Sequence, residues 1–185
     1  MSTGWRGASP GADAERALFE RRIVLLGGQV DTGRATDAAA ALMTLDALGD
    51  DPVELRLNAE SDSLDAAFTL VDTIDALGVE VHATVASTVG GTMAGVLAVC
   101  TLRRIGELGR VQLREPEEEL AGSAADLARR ATALESRLAD FVHRLAEATG
   151  RPFEHVEADL RSGRSLGAEG ALAYGLVDEI VRRRR

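Results

Sequence analysis

Short apolar runs and helix-periodic stretches alternate along nearly the whole of this chain, joined by brief connections, and that alternation restricts its fold more than any other feature. "RRIVLL" reads as a strand closed by Gly27-Gly28, and "ATDAAAALMTLDAL" as a helix with Leu42, Leu45 and Leu48 on one stripe and Gly49 as its stop. "VELRL" is a second strand. The helix after it turns Leu64, Phe68, Val71 and Ile74 inward and ends at Gly78. "VEVHATV" alternates as a third strand, "GGTMAGVLAVCTL" reads as a short buried helix, and "RVQLRE" as a fourth strand. Repeated strand–helix units with short links bury their apolar surfaces as a parallel sheet with right-handed crossovers, so the expected class is α/β.

After Glu117-Glu118-Glu119 the character changes. Ser123, with Asp126 three residues on, forms a variant of the capping box, and a helix over about 123–149 follows, ending at Gly150. Its apolar positions Leu127, Ala131, Leu134, Leu138, Phe141 and Leu145 alternate spacings of four and three, a narrow seam that packs lengthwise against another helix. A subunit contact is the natural partner for such a seam. "FEHVEADLRSG" then reads as a helix, and "SLGAEGALAYGLVDEIV" as a helical turn running through Gly175 into a final strand. The 185 residues suit one domain over 17–181, preceded by a flexible arm over 1–16 and followed by a basic tail over 182–185.

Composition excludes several classes. A net charge of −9 opposes nucleic-acid binding, which needs a positive surface. The four arginines Arg182 to Arg185 are the exception, a run that is ordinarily a solvated end and is also suited to an acidic partner. All 21 basic residues are arginine, so a Ser–Lys dyad, a lysine Schiff base and a phosphate-loop lysine are impossible. The lone Cys100 lies in the apolar run "AGVLAVC"; it excludes an internal disulfide and fits a reducing compartment. No signal-like or membrane-spanning stretch is present, and the expected location is cytoplasmic. Aromatics are 3%, which leaves Ala, Leu and Val to build the core and shifts stability toward oligomer contacts. His82, His143 and His155 fall on separate elements with no metal-ligand spacing, and neither a metal nor another cofactor is expected.

The stretch "NAESDS", Asn58 to Ser63, joins a strand to a helix, a junction where α/β proteins often hold a charged group on backbone N–H groups. Such a turn ordinarily needs glycine for positive φ and close approach. Here it carries Glu60, Ser61 and Asp62 instead.

In order and wording the pieces resemble the proteolytic subunit of the Clp protease, ClpP, a barrel-forming serine peptidase with a crotonase-like fold. The resemblance covers roughly residues 16–181: "LFERRIVLLGGQVD", "GDDPVELRLNAESDS", "VDTIDALGVEV", "LAEATGRPFEHVEADL" and, most specifically, "LGAEGALAYGLVDEIV". It implies a β-α superhelix with a protruding handle, the 123–149 helix, and heptameric rings stacked through that handle around a chamber fed by a Clp ATPase. The family's turn reads Asn-Ser-Pro-Gly-Gly-Ser, so Ser61 and Asp62 stand where two oxyanion-hole glycines are expected. Losing one such donor costs on the order of 10²–10³ in rate. The nucleophilic serine corresponds to Gly91 or, one residue on, to Thr92; the general-base histidine to Arg114; the triad aspartate to Gly163. Arginine cannot accept a proton.

The resemblance thus implies a Clp-type subunit without its triad, a pseudopeptidase acting in a homo-oligomer or in mixed rings with active ClpP subunits, with a Clp ATPase as a possible partner. The short arm and the scarcity of aromatics weigh against gating and ATPase docking. Two alternatives stand beside it. One is an active serine-type endopeptidase homologue with a rearranged site using Thr92 or Ser87, near Thr88. The other is a crotonase-like acyl-thioester binder, from "ASTVGGTMAG". Glu60 and Asp62 beside Arg114 are further expected to form an ion pair across the site.

Overall fold

The structure, a computed structural model, describes residues 10–117 and 123–182. The chain begins with α1 (Pro10–Phe19), β1 (Ile23–Gln29), α2 (Thr32–Leu48), β2 (Val53–Ser61), α3 (Leu64–Ala76), β3 (Val81–Gly91) and α4 (Met93–Ala98). It continues with β4 (Leu102–Gly106), β5 (Arg110–Gln112), α5 (Ala124–Thr149), α6 (Phe153–Arg161), β6 (Ser165–Gly167), α7 (Ala168–Tyr174) and β7 (Glu179–Val181). The sheet order is β1-β2-β3-β4-β7 with every neighbour parallel, while β5 adds to β3 and carries β6 antiparallel. The expected parallel α/β sheet is therefore present, with one antiparallel strand added.

Caps set the helix starts. Asp31 accepts from Arg34 N at 2.8 Å, Ser63 from Ala66 N at 3.1 Å and Ser123 from Asp126 N at 3.3 Å. Strand alternation sets the core: Val53, Leu55, Leu57, Ala59 and Ser61 of β2 are buried. The opposite face carries charge. There Glu54 meets Arg56 at 3.0 Å and Arg104 at 3.3 Å, and Arg104 meets Glu179 at 3.3 Å.

β3 serves two partners in succession. His82–Val85 pair with β4 and Thr88–Gly90 with β5. Between them the register against β2 jumps from Leu57↔Val85 to Ala59↔Val89, so that Ala86 to Thr88 bulge out. Asn58 Oδ1 accepts from Thr88 N at 3.2 Å and pins the bulge, which gives the only asparagine of the chain a structural task.

The long helix α5 buries Phe141, Val142, Leu145 and Ala146, while Leu127, Ala131, Leu134 and Leu138 of the same seam are only half-buried. Phe141 seats on Gly95 of α4, where an added Cβ would lie 2.4 Å from the ring. Arg137–Asp65 at 2.6 Å and Arg144–Asp75 at 2.6 Å clamp α5 along α3.

Several expectations are corrected. Gly27 and Gly28 lie inside β1 rather than at its end. The segment 1–16 is helical from Pro10, and residues 1–9 lie outside the described residues. Leu48, expected on one stripe with Leu42 and Leu45, is 70% exposed while those two are buried. Strands β4 and β6 went unrecognised; "LRRIG" carries two arginines mid-strand, and Arg103 spends its charge on Asp178 at 2.6 Å. Arg22 sits at φ 60, and its guanidinium closes the end of α2 on Leu45 O (2.8 Å) and Gly49 O (3.0 Å).

Cys100 is buried, bonds Val96 O at 3.3 Å, and has its thiol pushed up to about 12 by burial. A thiol raised above its ordinary 9.0 stays protonated in the folded chain, so native Cys100 at pH 8 is expected to resist iodoacetamide and to react only on unfolding. Its stabilising contribution is complete below about pH 9 and declines above it, as the unfolded thiol ionises. No helix among the described residues is long and apolar enough to cross a membrane.

Candidate functional site

β2 and β3 finish side by side, and their ends form the site. Ser61 pairs with Gly91 in the ladder, and Thr92 N donates to Ser61 O at 2.9 Å. "NAESDS" is accordingly not a turn. β2 continues through Ser61, and only Asp62 and Ser63 connect it to α3. The extension binds its backbone groups into the sheet, with Gln29↔Glu60 on one side and Glu60↔Gly90 on the other.

Gly91 is the last residue of β3, and Thr92 opens α4. Gly91 has φ +59, and a Cβ there would lie 2.1 Å from Ser61 O, so glycine alone fits. Thr92 is fully buried, and its hydroxyl donates toward Ser63 O at 3.0 Å and Ser61 O at 3.3 Å. Ser61 is equally buried; its Oγ donates to Val30 O at 2.6 Å and accepts from Ser63 N at 3.1 Å. The two hydroxyls lock β2, β3 and the β1–α2 connection together at one point. The hydroxyl proton of Thr92 is held by carbonyls, which cannot abstract it.

Arg114 follows β5, and its guanidinium pairs with Asp62; both side chains are about one-third exposed, at 32% each. The expected ion pair is therefore formed by Asp62, while Glu60 lies over Gly90, its Cγ 3.0 Å from where a Cβ of residue 90 would stand. Arg114 Nη2 also lies 3.6 Å from the Cβ position of Gly91, so residues 61, 62, 91, 92 and 114 form one cluster.

Residue 163 reaches the neighbourhood through the backbone, as Leu113 N donates to Arg164 O at 2.8 Å. Gly163 itself has φ +68 with open space around it and donates to Leu160 O at 3.1 Å, terminating α6. The fold thus brings the segments that carry residues 61–62, 91–92, 114 and 163 alongside one another.

The remaining candidates lie elsewhere. His82 meets Glu80 at 3.1 Å, His143 stacks on Phe153 at 4.4 Å, and His155 is exposed on α6. Ser87 is exposed on the β3 bulge. No three His, Cys, Asp or Glu side chains among the described residues converge for a metal. Sequence reasoning missed Val30 and Asp31. They follow β1 in "GQVD" and wall a groove of about 340 Å³ with Asp62, Asp65, Leu134 and Arg137.

The description "Clp protease" fits residues 7–184 of this chain. The chain belongs to the Clp protease family. It is 36% identical over 94% of its length to a Clp protease proteolytic subunit-like protein of Streptomyces coelicolor, covering 85% of that protein. It is 30% identical over 88% of its length to the ATP-dependent Clp protease proteolytic subunit 1 of Corynebacterium glutamicum, covering 80% of it. The proteolytic subunit 4 of Streptomyces avermitilis is 29% identical over 94% of the chain, which covers 78% of that subunit.

Proposed function

We propose that this member of the Clp protease family is a non-catalytic subunit, a pseudopeptidase of the cytoplasm that acts in the assembly of homo-oligomers or of rings mixed with active subunits, rather than in cleavage. One observation carries the reading: the hydroxyl that opens α4, Thr92, is fully buried and donates to two backbone carbonyls. An attacking oxygen must be exposed and must hand its proton to a base. In this reading Thr92 or Gly91 holds the nucleophile position, Arg114 that of the base and Gly163 that of the aspartate. Ser61 and Asp62 hold the oxyanion positions, where the carboxylate of Asp62 opposes developing negative charge. Arg114, engaged with Asp62, supplies a positive charge in place of a proton acceptor.

The half-buried seam of Leu127, Ala131, Leu134 and Leu138 supports an assembly role, since it offers apolar surface in a line along α5. The experiment combines native mass, peptide turnover and fluorophosphonate labelling of the chain alone and after co-expression with an active Clp proteolytic subunit. The isolated chain is expected to show neither labelling nor turnover, and to enter ring-sized assemblies in the co-expressed sample. Labelling or turnover abolished by Thr92→Ala or Ser87→Ala would overturn the reading and establish the rearranged hydrolase.

A further inference from the structure

One apolar side chain stands apart from both the core and the site. Leu108 is 95% exposed, more than any other large apolar residue among those described. Its position is fixed. Gly109 N donates to Gly106 O at 2.8 Å, closing the turn between β4 and β5. A Cβ at Gly109 would lie 2.4 Å from Ile105 Cγ1, and Ile105 is fully buried, so the turn sits hard against the core. Such turns ordinarily carry polar residues. A leucine held out in this way loses little conformational freedom when a partner covers it.

The opposite edge of the sheet carries a groove of about 590 Å³. α1, β1 and α2 line it; its apolar residues include Phe19, Ile23, Ala38 and Ala41, with Leu25 at 48% exposure. It follows β1, whose only strand partner among the described residues is β2. β4 and β5 flank β3 on the side away from β2, and β1 and β4 stand three strand spacings apart, about 14 Å. Turn and groove are fixed to one sheet at its two sides. A chain therefore cannot fill its own groove with Leu108.

Their charges are complementary. Glu107 and Arg110 flank the leucine, while Glu15, Arg16 and Asp37 line the groove. All five are exposed, and none has an ion-pair partner among the described residues. Arg34, the other charged residue of the groove, is engaged with Gly27 O at 2.7 Å. Turn and groove thus each offer an unpaired acid and an unpaired base around an apolar centre.

We propose that the 106–109 turn of one copy of this chain seats Leu108 in the groove between α1, β1 and α2 of the next copy. The two surfaces are different patches on opposite sides of the sheet, so the contact is head-to-tail, and its repetition closes a ring or extends a filament. The contact belongs to the homo-oligomer proposed above and rests on that part of the reading; it does not depend on loss of catalysis.

The test uses full-length chains, in which buried Cys100 is the only native thiol. Chains carrying Leu108→Cys are mixed with chains carrying Ala41→Cys and treated with a short bis-maleimide. A cross-link is expected between the two, and a chain carrying both changes is expected to give a ladder of multimers. Leu48→Cys, at a residue 70% exposed and outside the groove, is expected to give none with Ala41→Cys. By sedimentation, Leu108→Asp is expected to weaken self-association about 10- to 100-fold, the worth of burying one leucine, and Leu48→Asp to leave it unchanged.

Equal weakening by both aspartates would reduce the association to general surface hydrophobicity and overturn the site. A ring-sized mass that survives Leu108→Asp, with no cross-link from Leu108→Cys, would overturn this contact and leave the assembly standing. A chain that stays monomeric alone yet enters rings with an active subunit would overturn the second copy as occupant and leave the mixed ring. A chain that enters no assembly, alone or co-expressed, would overturn the assembly reading and the contact together.

Discussion

Gly91→Ala is expected to lower stability by about 3 kcal/mol or more, enough to unfold a marginally stable domain. Two costs add. Alanine at positive φ costs about 1–2 kcal/mol wherever it occurs. At Gly91 the new methyl would also stand 2.1 Å from Ser61 O, a backbone atom at the end of the β2–β3 ladder that is held in place by Thr92 N at 2.9 Å. Gly163→Ala isolates the first cost, because that residue has φ +68 with nothing within 4 Å. Urea unfolding of both variants should therefore show a large fall in midpoint for Gly91→Ala and a fall of about 1–2 kcal/mol for Gly163→Ala. Equal effects would mean that the ladder yields at Ser61. The same geometry bears on function: Gly91→Ser, with Arg114→His and Gly163→Asp, is expected to yield an unstable chain rather than a peptidase.

Phe141→Ala comes next, at about 3–5 kcal/mol. Phe141 is 1% exposed, in a chain whose aromatics are 3% of residues, and it is the ring that α5 sets against α4. Its removal leaves a hole facing Gly95, which has no side chain to fill it. Gly95→Ala approaches the same contact from the other side, since its Cβ would meet the ring at 2.4 Å. The pair should be strongly non-additive: Gly95→Ala is expected to be costly with Phe141 in place and much milder with Phe141→Ala, as thermal unfolding of the double-mutant cycle would show. Additive costs would place the two residues in separate packing units.

The helices were legible because their caps and periodicity are local. Ser63, Ser123 and Gly150 declare helix ends within a few residues, and α5 runs as the spacing of its apolar residues predicts. Strand limits depend on partners that local sequence does not name. Asn58 to Ser61 carry polar residues typical of a turn, yet they pair with Gly27–Gln29 on one side and Val89–Gly91 on the other, and so form strand. β4 was hidden for a related reason, as the arginines it carries mid-strand are met by carboxylates distant in sequence, Arg103 by Asp178 and Arg104 by Glu54 and Glu179. At the site, the identities at 61, 62, 91, 92, 114 and 163 could be read directly. What the hydroxyls of Ser61 and Thr92 bond could not, since their acceptors at Val30, Ser61 and Ser63 are set by the meeting of three strand ends.

The pairing of β7 with β4 joins Arg104 to Glu179 and Ile105 to Ile180, partners 75 residues apart. During synthesis the outer edge of β4 consequently stays open until residues 179–181 have been added, roughly 4–15 s after β4 itself at ~5–20 residues per second. An open strand edge is a template for pairing with other chains throughout that interval. The charge of Arg103, paired only when the C-terminal strand brings Asp178, stands on that edge while it waits, and Arg104 has only Glu54 until Glu179 arrives. A nascent chain stalled before residue 178 would carry Arg103 without Asp178 and Arg104 without Glu179, and with them a built-in guard against premature association.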